Sequence, residues 1–233
     1  MQENKKSAML SFKDKLVIVG AGEVDTALLW RYARERVPII AADGGADICW
    51  SKRIVPQAII GDMDSLENKK EWEEKSRLIE VGEQESTDFE KCLELSEAPV
   101  TIGLGLWGGR VDHSLASLDV LLRHGARRKL AIASRDDVII RARGRFEFHA
   151  LPGSRISVFP VAPIRFLRSS GLEYPLDGLE MAPGRLTGVS NSTASGRFVI
   201  EPEEGESGPY LLVLERPNLE IWVRDTVFEP DPE

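Results

Sequence analysis

Only two cysteines, Cys49 and Cys92, occur in 233 residues. They are too few for a disulfide framework and lack metal-ligand spacing, so both read as small buried side chains in a reducing compartment. No apolar run approaches the roughly 20 residues that cross a bilayer. The opening Met1–Lys15 is polar and lacks the apolar segment of a secretion signal. The expectation is a cytoplasmic chain with no membrane partner. Positive charge is also scarce: 30 Lys and Arg face 38 Asp and Glu, a formal net charge of −8. General nucleic-acid binding needs a basic surface, so a nucleic-acid partner is not expected. Gly20-Ala21-Gly22-Glu23-Val24-Asp25 lacks the third glycine of a dinucleotide fingerprint, and no Gly-Lys-Ser/Thr follows it. A Rossmann cofactor site and a Walker loop are therefore disfavoured. The segment fits an ordinary strand-to-helix turn or a turn that touches a ligand. There is no internal repeat and no low-complexity tract.

What is present suits a packed soluble protein: 42% hydrophobic and 29% charged residues. Lys15–Gly20 reads as a buried strand ending in a glycine turn, with a helix over about 24–36. Val37–Ala42 is a strand ending at Asp43, and Asp47–Lys52 a short helix. Ala58–Ile60 and Leu78–Val81 are strands, Asp88–Leu95 a helix and Val100–Ile102 a strand. Asp112–His124 reads as a helix with Leu115, Leu118 and Leu122 on one face and Gly125 as its stop, followed by strand Leu130–Ala133. Alternating strands and helices predict a mostly parallel, Rossmann-like α/β sheet. After about residue 137 the pattern changes to short strands separated by Pro, Gly and Ser: Val138–Ile140, Phe146–Phe148, Ile156–Phe159, Phe198–Ile200 and Tyr210–Leu214. That predicts an all-β sandwich or barrel. The expected domains are 1–136 and 137–233. The tail, with Ile221-Trp222-Val223, reads as an added strand without assigned function.

The chemistry concentrates in short carboxylates at strand ends. Gly61-Asp62-Met63-Asp64-Ser65 follows Ile59-Ile60, and Asp43-Gly44-Gly45 follows Ala41-Ala42. In open parallel sheets ligands bind beyond the carboxyl ends of the strands, so Asp43, Asp62 and Asp64 can converge on one crevice. Two carboxylates two residues apart point the same way from an extended segment; the alternative is a solvated Asx turn. Hard acids among glycines suit magnesium, which takes one or two carboxylates plus substrate phosphates. Thr87-Asp88 fits a helix cap, and such an end also favours anions. Lys91, one turn along, can reach a phosphate. Gly108-Gly109-Arg110 joins a glycine turn to a helix start, where Arg110 can fork onto phosphate. His113 fits a surface residue, a hydrogen-bond donor or a base. Ser190-Asn191-Ser192 is a polar loop triplet in a half that otherwise shows little chemistry.

Together these pieces resemble thiamine pyrophosphokinases. Ala42-Asp43-Gly44-Gly45-Ala46, Pro56-Gln57, Gly61-Asp62-Met63-Asp64-Ser65, Ser86-Thr87-Asp88 with Lys91, Gly108-Gly109-Arg110 with Asp112-His113, Gly171–Leu176 and Ser190-Asn191-Ser192 run in the family's order. The resemblance spans roughly residues 16–215. It implies an N-terminal α/β domain that binds ATP and magnesium, a C-terminal β-sandwich that binds thiamine, and a homodimer with sites at the subunit interface. The implied reaction moves the β,γ-pyrophosphoryl unit of ATP to the thiamine hydroxyl, giving thiamine diphosphate and AMP. Carried over, Asp62, Asp64 and Asp88 are the metal acids, with Asp43 and Asp112 in support. Gly44, Gly45, Gln57, Thr87, Gly109 and His113 fall on the ATP side, where Lys91 and Arg110 neutralise phosphate charge. Gln84, Tyr174, Ser190, Asn191 and Ser192 fall on the thiamine side. Glu83 and Glu85 depart from the family's Asp-Gln-Asp run, and Trp107 replaces a smaller turn residue. Two rival readings are a pyrophosphokinase for another heterocyclic alcohol, such as a pterin, and a non-catalytic nucleotide or thiamine diphosphate sensor.

Overall fold

The computed structural model describes residues 9–64, 66–205 and 208–231. The chain forms two compact units, one up to Arg135 and one from Asp136. In the first unit the elements are β1 (Leu10–Ser11), β2 (Lys15–Val19), α1 (Thr26–Arg34), β3 (Ile39–Ala42), α2 (Gly45–Ser51), β4 (Ala58–Gly61) and α3 (Lys69–Glu73). They continue with β5 (Arg77–Glu80), α4 (Asp88–Glu94), β6 (Ser96–Glu97), β7 (Val100–Leu104), α5 (Val111–His124) and β8 (Leu130–Ala133).

Six of these strands lie in the order β8-β7-β2-β3-β4-β5, and every neighbouring pair is parallel. Parallel strands covered on both faces need continuous apolar runs. Leu16, Val17, Ile18 and Val19 of β2 are accordingly all inaccessible to solvent. The chain leaves β2 toward β3 but returns to its other side with β7. The strand order therefore reverses between β2 and β7, the position where α/β sheets open a crevice. Cys49 and Cys92 are free and buried, and burial pushes the Cys49 thiol up to about 12. Among the described residues no helix is long and apolar enough to cross a membrane.

Two readings of local pattern need correction. Helix α5 buries Ser114, Ser117, Val120 and Leu121, while Leu115 is 60% exposed. Small serines admit close packing, so the leucine stripe is not the buried face. The tail segment Ile221-Trp222-Val223 is helical rather than a strand, as described below with the second unit.

Helices α4 and α5 are fastened by Glu90, which is 8% exposed. Its carboxylate accepts hydrogen bonds from both Arg123 terminal nitrogens and lies 3.0 Å from His124 Nε2. The Arg123 hydrogen bond, helped by His124, holds the carboxyl down at about 2. A depressed carboxyl contributes stability that is complete above its unfolded value near 4.5 and fades as pH falls through about 2. Arg123 is half exposed, so water screens part of the gain. Glu90→Ala is expected to cost about 2–3 kcal/mol at pH 7. In urea unfolding the gap between variant and parent should shrink by about half at pH 3. An unchanged gap would contradict the assignment.

The second unit comprises β9 (Asp137–Arg143), β10 (Phe146–His149), β11 (Arg155–Pro160), β12 (Ile164–Ser170), β13 (Glu180–Met181), β14 (Gly188–Ser192), β15 (Arg197–Pro202) and β16 (Pro209–Glu215). A 3-10 turn, Arg216–Asn218, then leads into α6 (Leu219–Asp225). One antiparallel sheet runs β14-β11-β16-β9 and the other β10-β15-β12-β13. Phe166 of β12 meets Tyr210 of β16 edge-on with ring centroids 5.5 Å apart, so the two sheets share a core. Pro217 lies in the first positions of the 3-10 turn, and Asn218 is fully buried, donating to Ser154 Oγ and accepting from the Leu151 amide. Leu219 and Trp222, three apart, are the buried face of α6. Helical spacing there overrides the strand preference of Ile221 and Val223. Beyond it, Asp231 takes a forked pair from Arg141 on β9 at 3.1 and 2.5 Å, which secures the tail.

Candidate active site

A cavity of about 530 Å³ opens in the first unit. Its walls are the loops that leave the carboxyl ends of β2, β3, β4 and β7, together with α4 and the start of α5. At its centre two glycine turns meet across the switch point. Gly20 N–H donates to Leu104 O and Gly22 N–H to Gly105 O, both at 2.8 Å. A Cβ on Gly20 would stand 2.6 Å from Gly105 O, and one on Gly105 would stand 2.5 Å from Gly20 O. Only glycines allow this approach, and it leaves bare backbone facing the cavity.

Asp43, Asp62 and Asp88 line this cavity, each at the start of a turn or helix that follows a strand or loop. Asp43 is 8% exposed and takes a left-handed φ of 37°. Met63, at φ 62°, breaks the extended path expected between Asp62 and Asp64. The Asp64 amide then donates to Asp62 Oδ1 at 3.2 Å, closing an Asx turn. Asp62 faces the cavity, whereas Asp64 is exposed and outside its lining. Ser65 lies outside the described residues. Gln84 Nε2 donates to Asp62 Oδ2 at 3.2 Å, and these two bonds hold the Asp62 carboxyl below its usual range.

Glu83 does not reach the cavity. It accepts from the Glu85 and Ser86 amides at 2.8 and 3.1 Å and from the Ser86 hydroxyl. Thr87 caps α4 by accepting from the Glu90 amide at 3.2 Å. Asp88, on the first turn, is half-buried, and burial raises its carboxyl despite the Lys91 ammonium 3.0 Å away. The charges of Asp43 and Asp62 push it the same way. Lys91 is almost fully buried, yet it lines the cavity. On the far wall stand Gly108, Gly109, Arg110 and His113. Arg110 forks onto Asp112 at 3.2 and 2.6 Å, and that pair holds the Asp112 carboxyl down at about 2.

Crowded carboxylates of one sign are the setting that a cation relieves. Among the described residues, however, no three acid, histidine or cysteine side chains stand close enough to hold a metal between them. Asp62 and Asp88 are the cavity-lining carboxylates that could hold a cation.

Several expected ligands sit elsewhere. Gln57 precedes β4, at the amino ends of the parallel strands, so its side chain is at the wrong end of the sheet for this cavity. Gly45 is buried, and a Cβ there would lie 1.9 Å from Val19 O; its bareness serves the packing of α2 on β2. Asp112 touches the cavity only through Arg110. Gly44 does line it. Ser86, Phe89, Gly105, Leu106 and Ser117 line it without a role assigned from the sequence, and of the two readings of the Gly20–Gly22 turn the cavity-lining one holds. The signal available was a glycine turn directly after each of the strands Lys15–Val19 and Val100–Leu104. Tyr174, Ser190, Asn191 and Ser192 belong to the second unit, where Tyr174 is 65% exposed and Asn191 is 2% exposed. Ser190 and Ser192 flank Asn191 on β14, which is a strand and not a loop.

A parallel α/β unit with strand-end acids, a buried lysine and bare glycine backbone around one crevice is an arrangement that suits a phosphate-bearing ligand. The comparisons narrow the class. The profile of the thiamin pyrophosphokinase catalytic domain matches residues 29–133. Thiamine pyrophosphokinase 2 of Arabidopsis thaliana is 28% identical over 214 residues, covering 76% of this chain and 78% of that protein. Thiamin pyrophosphokinase 1 of Caenorhabditis elegans is 27% identical, covering 84% and 83%. Among solved structures, the fold matches thiamin pyrophosphokinase from Geobacillus thermodenitrificans with a TM-score of 0.73 at 21% identity, over 86% of this chain and 97% of that one. The yeast enzyme gives 0.75 at 18% identity, over 87% and 86%. Residues 29–133 thus match the thiamin pyrophosphokinase catalytic domain, and the chain is similar to thiamine pyrophosphokinases over most of its length.

Proposed function

We propose that this protein transfers the β,γ-pyrophosphoryl unit of ATP to the hydroxyl of thiamine, releasing thiamine diphosphate and AMP. The observation that carries this is the cavity at the switch point, where Asp43, Asp62, Asp88 and Lys91 surround bare glycine backbone. In the proposed reaction the thiamine oxygen bonds to the β-phosphorus, and the bond from that phosphorus to the α–β bridging oxygen breaks. Such transfers depend mostly on positioning and electrostatics. Magnesium, when bound, would neutralise polyphosphate charge and orient the β-phosphorus. Asp62 and Asp88 would hold it, with Asp64 contributing from the adjoining turn. Lys91 and Arg110 would face phosphate oxygens, Arg110 by exchanging Asp112 for the ligand. The hydroxyl proton needs an acceptor; Asp88 lines the cavity and Asp112 does not, so Asp88 is the better placed.

The second unit, read as a β-sandwich, would supply the thiamine contacts from Tyr174 and the Ser190–Ser192 segment. A homodimer with sites at the subunit interface and a cytoplasmic location complete the proposal. Sedimentation equilibrium should then report twice the 25.9 kDa chain mass; the single-chain mass would overturn the dimer. The substrate is tested by AMP release with thiamine, with a hydroxymethylpterin and with no acceptor. Release that depends on thiamine alone supports the reading, and pterin-dependent release would replace it.

A further inference from the structure

Asn191 has its side chain committed before any ligand arrives. It lies on β14 opposite Ile156 of β11, next to a register shift between Ile156 and Val158. Ser190, just before it, takes a left-handed φ of 59°, with its amide donating to Ser157 Oγ at 3.1 Å. Bulges of this kind re-aim a side chain, and here Asn191 turns inward to 2% exposure. Its Oδ1 accepts from the Tyr174 amide at 3.0 Å and from the Ser192 amide at 2.9 Å. Its Nδ2 donates to Tyr174 O at 2.7 Å. The Glu173 amide adds a bond to Ser192 O at 2.8 Å. Two residues on, Leu176 is buried and its amide donates to Ser169 Oγ at 2.8 Å. The backbone of Tyr174 is thus gripped on both sides, while its ring stands in solvent.

We propose that Asn191 is a positioning residue that acts through Tyr174: it clamps the Tyr174 backbone so that the exposed ring is presented to the aromatic cation of the second substrate. The inference rests on the second unit being the thiamine side. A buried carboxamide with both ends engaged has little left to offer a ligand, whereas a rigidly held ring offers stacking area and cation–π attraction at small entropic cost.

The test is a double-mutant cycle on the full-length protein. Asn191→Asp keeps Oδ1 but sets an acceptor against Tyr174 O. Both Asn191→Asp and Tyr174→Ala should raise KM for thiamine roughly three- to tenfold and leave KM for ATP unchanged. The double variant should be no worse than Tyr174→Ala alone. Effects that multiply would place Asn191 on the substrate itself and overturn the proposal, as would a raised KM for ATP. Amide hydrogen exchange on the unsubstituted, ligand-free protein gives an independent readout. The Tyr174 amide should be protected; exchange at the free-peptide rate would show that no clamp exists. If thiamine is not turned over at all, the functional reading fails, while the exchange measurement still decides the clamp.

Discussion

Asp62→Asn should lower turnover by at least about 100-fold, the scale of losing a principal electrostatic contact in a transition state, while the thermal midpoint stays at the parent value. Asp62 is the acid whose position depends least on burial. It is held by the Asp64 amide and by Gln84 Nε2, both at 3.2 Å, and it faces the cavity. Neutralising it removes charge at the proposed metal without opening a core void. Asp64→Asn should be milder, because Asp64 is exposed and outside the lining. The comparison uses initial rates at saturating ATP, thiamine and magnesium, with unfolding followed in parallel. Parent-like turnover of Asp62→Asn would remove Asp62 from the mechanism.

Gly45→Ala should have the largest effect on stability. The added Cβ would sit 1.9 Å from the Val19 carbonyl oxygen and 2.7 Å from its carbon, atoms of a fully buried central strand. Neither belongs to a flexible side-chain tip, so α2 must move off the sheet. Overpacking of this sort costs about 1–3 kcal/mol and sometimes more, and the upper end is expected because the clash is with backbone. Denaturant midpoints would show it as a large drop, with magnesium-ATP affinity recovered in whatever fraction remains folded. A parent-like midpoint with lost ATP binding would return Gly45 to the site from which the packing removes it.

Much of the first unit was legible because its physics is local. Apolar runs such as Leu16–Val19 and Ala58–Ile60 end in glycine, and each became a buried parallel strand. Asp43 and Asp62 were legible as cavity-lining acids because short carboxylates follow apolar runs, and Asp88 through the cap of its helix and the family resemblance. The cavity's centre was not. It depends on β7 returning beside β2, a non-local choice that no window of residues encodes. For that reason the sequence does not decide whether Gly20–Gly22 is an ordinary turn or one that touches a ligand, and it gives no sign that Gln57 lies at the opposite strand ends. Helix α5 misled because leucines outrank serines in any hydrophobic count, yet Ser114 and Ser117 are buried. In the second unit β12, with Arg165 and Arg168 interrupting its apolar residues, and β14, with Ser190-Asn191-Ser192, carry too little apolar pattern to announce a strand. Asn191 looked like a ligand-facing residue because its three hydrogen-bond partners are revealed only by the fold.

The central claim is that the β- and γ-phosphoryl groups move together onto a thiamine oxygen. The most direct measurement incubates the protein with magnesium, thiamine and ATP labelled separately at the β and γ phosphorus, and resolves nucleotides and thiamine esters by chromatography. The account predicts both labels in thiamine diphosphate, in equal amounts, with one unlabelled AMP per ester formed. Label from the γ position alone in thiamine monophosphate, with ADP as the nucleotide product, would contradict it.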